Sequence, residues 1–431
     1  MTGEIDVMKR ILSGIAAMLI CVSLAGCTGG DDVRTTSDLD KPEITYVSEA
    51  VEPNYSVDEI SGEFEYALLK EIADREKNTV VSPLSVKLAL NMAALGAKND
   101  TEKELLTMFG YENQEQMREE SQNIISELDR EDGSIIVSNS VWAAKNYGIG
   151  ENYTSGLQNL FNAEMFRENL TSKKIVKKLN DWINSKTNGL IPDMINEPFG
   201  SDTGALLVNA LYFKNSWDIE FDPADNIINM PFHGMNGDSR VDGMCLLRED
   251  IYYGEGELFR SVSLGYKDGS HMNIYLPAAE GENVLDIIDS LSAAELSEAM
   301  NIGYSNGLEE GRTVKLVLPK FECEYNESIK KILQKLGISY SFESGSADFG
   351  GMLDMDTYNG LYISDVIHAA KLECNEKGTE AAAATIVTFA ETAVIFDKES
   401  DPIEFIADRP FIYEIKAPNG EILFMGVISN F

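Results

Sequence analysis

Helical periodicities crowd the first half of this chain and strand-like runs the second, and that order limits the fold most. Val57, Ile60, Phe64, Ala67, Leu68 and Ile72 recur at the spacing of one helical face, which predicts a helix over 57–72. Ser82-Pro83 supplies a capping residue and a proline suited to a first helical turn, and predicts a second helix over 84–95. Further helices are expected over 175–186 and 329–336. Strand-like runs fall at 135–144, 206–213, 272–276, 314–321, 361–366, 411–415 and 422–428. Strand and helix do not alternate, so a Rossmann-type sheet is excluded and a mixed α+β chain is expected.

Charge narrows the function. Seventy-two acidic residues against 35 basic ones leave a formal net charge of −37. Such a chain repels phosphate, which argues against nucleic acid as a partner. Heparin and anionic lipid headgroups are excluded on the same ground. The 44% hydrophobic content still suits a large buried core. The three histidines, His233, His271 and His368, form no HExxH motif, and no metal or cofactor is expected.

The N-terminus has the build of an export signal. Lys9 and Arg10 precede an apolar run from Ile11 to Val22, which is short for a bilayer-spanning helix of about 20 residues. Leu24-Ala25-Gly26-Cys27 follows and resembles the lipobox of bacterial lipoproteins. That resemblance implies a signal peptide over residues 1–26, lipidation of Cys27, and an outward-facing lipid anchor as the sole membrane contact, or an extracellular location. Residues 27–55 are polar and acidic and read as a tether. No further linker or repeat interrupts 56–431, which is expected to be one domain and a monomer. With Cys21 and Cys27 accounted for, Cys245, Cys323 and Cys374 remain, too few for a disulfide framework.

Two segments look catalytic or odd. Gly303-Tyr304-Ser305-Asn306-Gly307 matches the hydrolase elbow GxSxG, but that motif needs a strand before it and a helix after. Here the order is helix, then an acidic turn and a strand, so a turn is the better reading and no enzyme is expected. Four alanines at 381–384 favour a helix, whereas the next five residues, Thr385 to Phe389, favour a strand.

Six stretches together resemble the serpin family. They are Asn78-Thr79-Val80-Val81-Ser82-Pro83-Leu84-Ser85; Asn180-Asp181-Trp182-Ile183; Val208-Asn209-Ala210-Leu211-Tyr212-Phe213-Lys214 with Trp217; Leu318-Pro319-Lys320-Phe321; Glu373 to Glu380 with its alanines; and Phe405 to Phe411. The resemblance implies three β-sheets, eight or nine helices and an exposed reactive loop near the C-terminus. It also implies suicide inhibition: a protease cleaves the loop, is held as an acyl-enzyme, and is deformed when the loop inserts into the central sheet. The expected target is a serine protease, with a cysteine protease left open. The alternative is a non-inhibitory serpin-fold surface protein that binds a ligand.

The loop itself can be tested for insertion. A segment that becomes a central strand alternates between two faces. One face is Thr379, Ala381, Ala383, Thr385, Val387 and Phe389; the other is Glu380, Ala382, Ala384, Ile386, Thr388 and Ala390. Neither contains proline, and the one charge lies at the hinge end. By the resemblance the hinge spans Glu376, Gly378, Thr379, Glu380, Ala381, Ala382, Ala383, Ala384 and Thr385. The family's count from the hinge glycine puts the reactive bond at Thr392-Ala393, which suits an elastase-like protease. Ser82, Ser85, Asn209 and His368 match the shutter of the central sheet, and Trp217 the point where the loop enters. Asn215, Leu190, Ala369 and Phe431 depart from the family pattern and are expected at surface or turn positions.

Overall fold

The computed structural model describes residues 51–128, 134–279, 281–306, 312–354, 360–379 and 402–431. Among them are nine α-helices and three β-sheets. The central sheet holds seven strands. Its main path runs β2 (Glu164–Glu168), β1 (Ile135–Ala144), β3 (Ala205–Phe213), β13 (Ile363–Asn375), and β12 (Phe321–Ser328) flanks the far side of β13. Two short strands, β14 (Gly378–Thr379) and β4 (Asn215–Ser216), complete it at the end of β13.

The second sheet has six strands in the order β10 (Ser305–Asn306), β7 (Tyr252–Glu255), β8 (Phe259–Gly265), β9 (His271–Pro277), β16 (Phe411–Lys416), β17 (Ile422–Ile428). The third has four: β15 (Ile403–Ile406), β11 (Val314–Pro319), β6 (Gly237–Arg248), β5 (Ile227–Gly234).

Both faces of the central sheet are covered. Helix α2 (Pro83–Gly96) is buried along its whole length and packs between β3 and β17. A helix apolar on every side belongs inside a core. On the opposite face α6 (Lys173–Lys186) lays Ile175, Leu179 and Ile183 against Leu206, Val208, Ile367 and Ala369. Strand β3 is therefore buried at all nine positions, and its sequence reads as an unbroken apolar run rather than an alternation.

Several expectations change. The first helix, α1, spans Phe64–Ile72 only, because Gly62 takes φ +82° and ends the turns that precede it. The run 314–321 is two strands, split at Lys320, where the chain leaves the four-stranded sheet and joins the central one. Ala369 is no surface residue. It is fully buried under α6, and Asn215 is a strand residue of β4 rather than part of a turn. The GxSxG serine sits in β10, paired with Tyr253 of β7, a short sheet edge in place of a nucleophile elbow.

Candidate functional site

Strands β3 and β13 run parallel, but only for part of their length. Their pairing starts at Ala205 and Ile363 and stops at Ala210 and Ala369. Beyond it β3 continues to Phe213 and β13 to Asn375, and among the described residues no ladder joins these two ends. The sheet parts here.

The chain enters that parting at once. After β13 it turns over Glu376-Lys377 and returns as β14, antiparallel to β13, with Cys374 opposite Thr379 and Asn375 opposite Gly378. On its other side β14 pairs with β4, Gly378 opposite Ser216 and Thr379 opposite Asn215. Two residues of a new strand are already in place. Gly378 is required there, because a Cβ would collide with the Asn215 carbonyl oxygen.

Several side chains hold the turn. The Trp217 backbone amide donates to the Lys377 carbonyl at 2.9 Å, and its indole Nε1 donates to the Asn375 carbonyl at 2.9 Å. Its ring stacks on Tyr266 with centroids 4.4 Å apart. The Tyr266 hydroxyl bonds Thr379 Oγ1 at 2.5 Å. Burial raises the Tyr266 phenol well above its usual range, so the hydroxyl keeps its proton. Burial alone would also raise the Glu376 carboxyl. Its own backbone amide, Asn226 Nδ2 at 2.7 Å and Lys320 Nζ at 3.1 Å outweigh that and lower it.

At the other end of the parting lies a buried polar group. The Ser82 amide donates to His368 Nε2 at 3.2 Å, which leaves the ring proton on Nδ1. Ser82 Oγ caps α2 by accepting from the Ser85 amide at 3.2 Å. Burial lowers His368 to about 4, so the ring is neutral at ordinary pH. Asn209 stands opposite His368 in the register, yet its Nδ2 donates to Asn139 Oδ1 at 2.5 Å. Ser82, Ser85 and His368 thus form one group, and Asn209 belongs to a neighbouring pair.

Trp217, Glu376, Gly378 and Thr379 meet at one end of the parting; Ser82, Ser85, Asn209 and His368 lie at the other. Glu380, Ala381, Ala382, Ala383, Ala384, Thr385, Thr392, Ala393 and Cys27 fall outside the described residues. Tyr266 and Asn139 escaped sequence reasoning. Asn139 carried a signal, a polar residue between Ser138 and Ser140 inside an apolar strand, whereas Tyr266 offered none.

A family model described as serpin (serine protease inhibitor) matches residues 59–431. Iripin-8 of Ixodes ricinus is 30% identical over 378 residues, covering 84% of this chain and 90% of its own. Neuroserpin of Mus musculus is 28% identical, covering 82% and 86% respectively. The crystal structure of the thermophilic serpin tengpin in the native state superposes with a TM-score of 0.75 at 25% identity, covering 86% of this chain and 94% of that one. Three sheets, nine helices among the described residues, the parted central strands and a match over residues 59–431 agree: the chain belongs to the serpin family, described as serine protease inhibitors and not as enzymes.

Proposed function

We propose that this protein is an inhibitory serpin that traps an elastase-like serine protease by inserting its cleaved loop between β3 and β13, and that it works outside the cell on a lipid anchor at Cys27. The observation that carries the reading is β14, a strand of two residues already seated at the mouth of the parting. Each further loop residue would stand opposite one residue earlier in β13. Carried on in that register, Ala381 meets Leu372, Ala383 meets Ala370, Thr385 meets His368 and Val387 meets Val366. These four β13 residues are buried on the core face. The uncharged face of the loop would lie toward the core.

The unpaired edges supply the driving force. Backbone groups of Ala370–Glu373 and Leu211–Phe213 would gain ladder partners, as would the loop. Glu380 would fall opposite the half-buried Glu373, where like charges resist the next step and hold the uncleaved loop out. Thr392-Ala393 as the reactive bond suits a shallow specificity pocket, and the acidic surface favours encounter with a basic protease.

A panel of serine proteases tests this. Incubation with an elastase-type enzyme should give a complex that survives SDS, with a new N-terminus at Ala393 in the released peptide. Clean cleavage without a complex, across the whole panel, would sink the inhibitory reading. A new N-terminus at Glu399 would sink the elastase assignment alone.

A further inference from the structure

The negative charge of this chain is unevenly spread. Strands β3 and β13 begin at one end of the central sheet, at Ala205 and Ile363, and the mouth of the parting lies at the other, about 26 Å along β3. Cations collect at the first end. There β1 and β2 finish together, and the Lys145 amide donates to the Glu168 carbonyl at 3.1 Å. Arg167 Nη2 donates to the Lys145 carbonyl at 3.1 Å. The chain then turns into α6, which opens on Lys173 and Lys174 and carries Lys177 and Lys178 one turn on. All six side chains are on exposed residues.

Two carboxylates answer these six cations. Glu168 meets Lys178 at 2.6 Å and Lys145 at 3.8 Å, and Asp181 meets Lys177 at 2.5 Å. Arg167, Lys173 and Lys174 have no carboxylate within ion-pair distance among the described residues. Lys330 and Lys331, which open the helix Lys330–Lys335, add two cations; Lys330 Nζ donates to the Ser364 carbonyl at 3.1 Å, beside the start of β13. Glu151, Asp202, Asp354 and the half-buried Asp365 belong to the same end. The local balance is still positive, in a chain of net charge −37. Helix stability does not explain it. The first turn of α6 holds two lysines and no acidic residue, the order that the helix dipole disfavours.

The chain also enters the domain near this end. The Asn54 and Tyr55 amides donate to the Lys335 carbonyl at 2.8 and 3.2 Å, one short helix of about 9 Å from Lys330. A surface that holds the N-terminus therefore lies on the side of the lysines.

We propose that this lysine-rich end is an orienting surface: on the tethered protein it faces anionic lipid headgroups, and the mouth of the parting points away from the membrane. The anchor at Cys27 is taken from the proposed function. A free molecule of this net charge is repelled by such a surface. A tether supplies the local concentration at which a few lysines act, and repulsion of the acidic remainder turns the molecule.

The test couples the full chain, carrying Cys21→Ser and Cys245→Ser, through Cys27 to a maleimide lipid, so that the result is independent of acylation by a cell. Cys323 and Cys374 are buried. Lysine acetylation is followed by mass spectrometry on vesicles of phosphatidylcholine, with and without phosphatidylglycerol. Acetylation of Lys173, Lys174 and Lys331 should slow about threefold on the anionic vesicles only, and recover in high salt. Lys267, whose amide bonds the Ser216 carbonyl at the mouth, should react alike on both. Lys173→Gln with Lys174→Gln, at two exposed positions, should leave melting unchanged and release Lys177 and Lys331 from protection. Equal acetylation on both vesicles, or protection of Lys267 as strong as that of Lys173, overturns the proposal. So does protection on neutral vesicles that grows with protein density, which would mean contact between copies. Detergent partitioning of the protein made in cells bears on the anchor alone.

Discussion

Thr379 is held by Tyr266. Its Oγ1 lies 2.5 Å from the tyrosine hydroxyl, the threonine is 1% exposed, and the tyrosine ring stacks on Trp217. The first inward-facing residue of the loop is thus packed and hydrogen-bonded before any protease arrives.

Thr379→Arg should convert the inhibitor into a substrate. Thr379 is 1% exposed and bonded to Tyr266, whose ring stacks on Trp217, so an arginine there would have its charge buried, and burying an unpaired charge costs several kcal/mol. Insertion would slow while deacylation would not. The check is a gel: cleaved loop without SDS-stable complex is expected, and a complex yield equal to the parent's would contradict it.

Stability should fall as the medium is acidified through the histidine range. His368 titrates near 4 in the fold against 6.5 in an open chain. Between those values the unfolded state binds the proton and the native state does not, so unfolding gains as pH drops. The contribution is complete above about 6.5 and lost progressively toward 4, on the order of 3 kcal/mol at ~1.4 kcal/mol per unit. Melting of the uncleaved protein across this window should show the slope, and His368→Gln should flatten it. A parent and variant with parallel profiles would show that His368 does not set the slope.

Specificity should move with one residue. Thr392→Arg should redirect complex formation from elastase-like to trypsin-like enzymes, because the pocket that takes the residue before the cut reads size and charge. Retained elastase inhibition with no gain against trypsin would place the reactive bond elsewhere.

The proposed anchoring rests on Cys27. The expressed protein should partition into detergent, and Cys27→Ala should release it to the aqueous phase, since two acyl chains bind a membrane far more firmly than one. Equal partitioning of both forms would contradict lipidation.

Much of this architecture was legible from periodicity. The runs 135–144 and 422–428 are strands β1 and β17 residue for residue, and the buried helix α2 differs from expectation by one residue at each end. Local pattern failed where tertiary events decide. Pro319 to Phe321 reads as one continuous strand because apolar alternation carries no information about which sheet a residue joins. Ala369 reads as surface only when α6 above it is unknown. At the site, Gly378, Thr379 and Trp217 could be singled out in the sequence, but Tyr266 could not. Its role comes from β8 and β9 bringing a connecting residue beneath the hinge, a contact between positions 113 residues apart.

The most direct measurement is amide hydrogen exchange over residues 370–373 of β13 and 211–213 of β3, before and after cleavage of the loop. In the uncleaved protein no ladder joins these backbone edges among the described residues, and exchange should be measurable. After cleavage the inserted strand should bond both edges, slowing exchange there and raising the melting temperature. Unchanged exchange and melting after complete cleavage would contradict insertion, and with it the inhibitory mechanism.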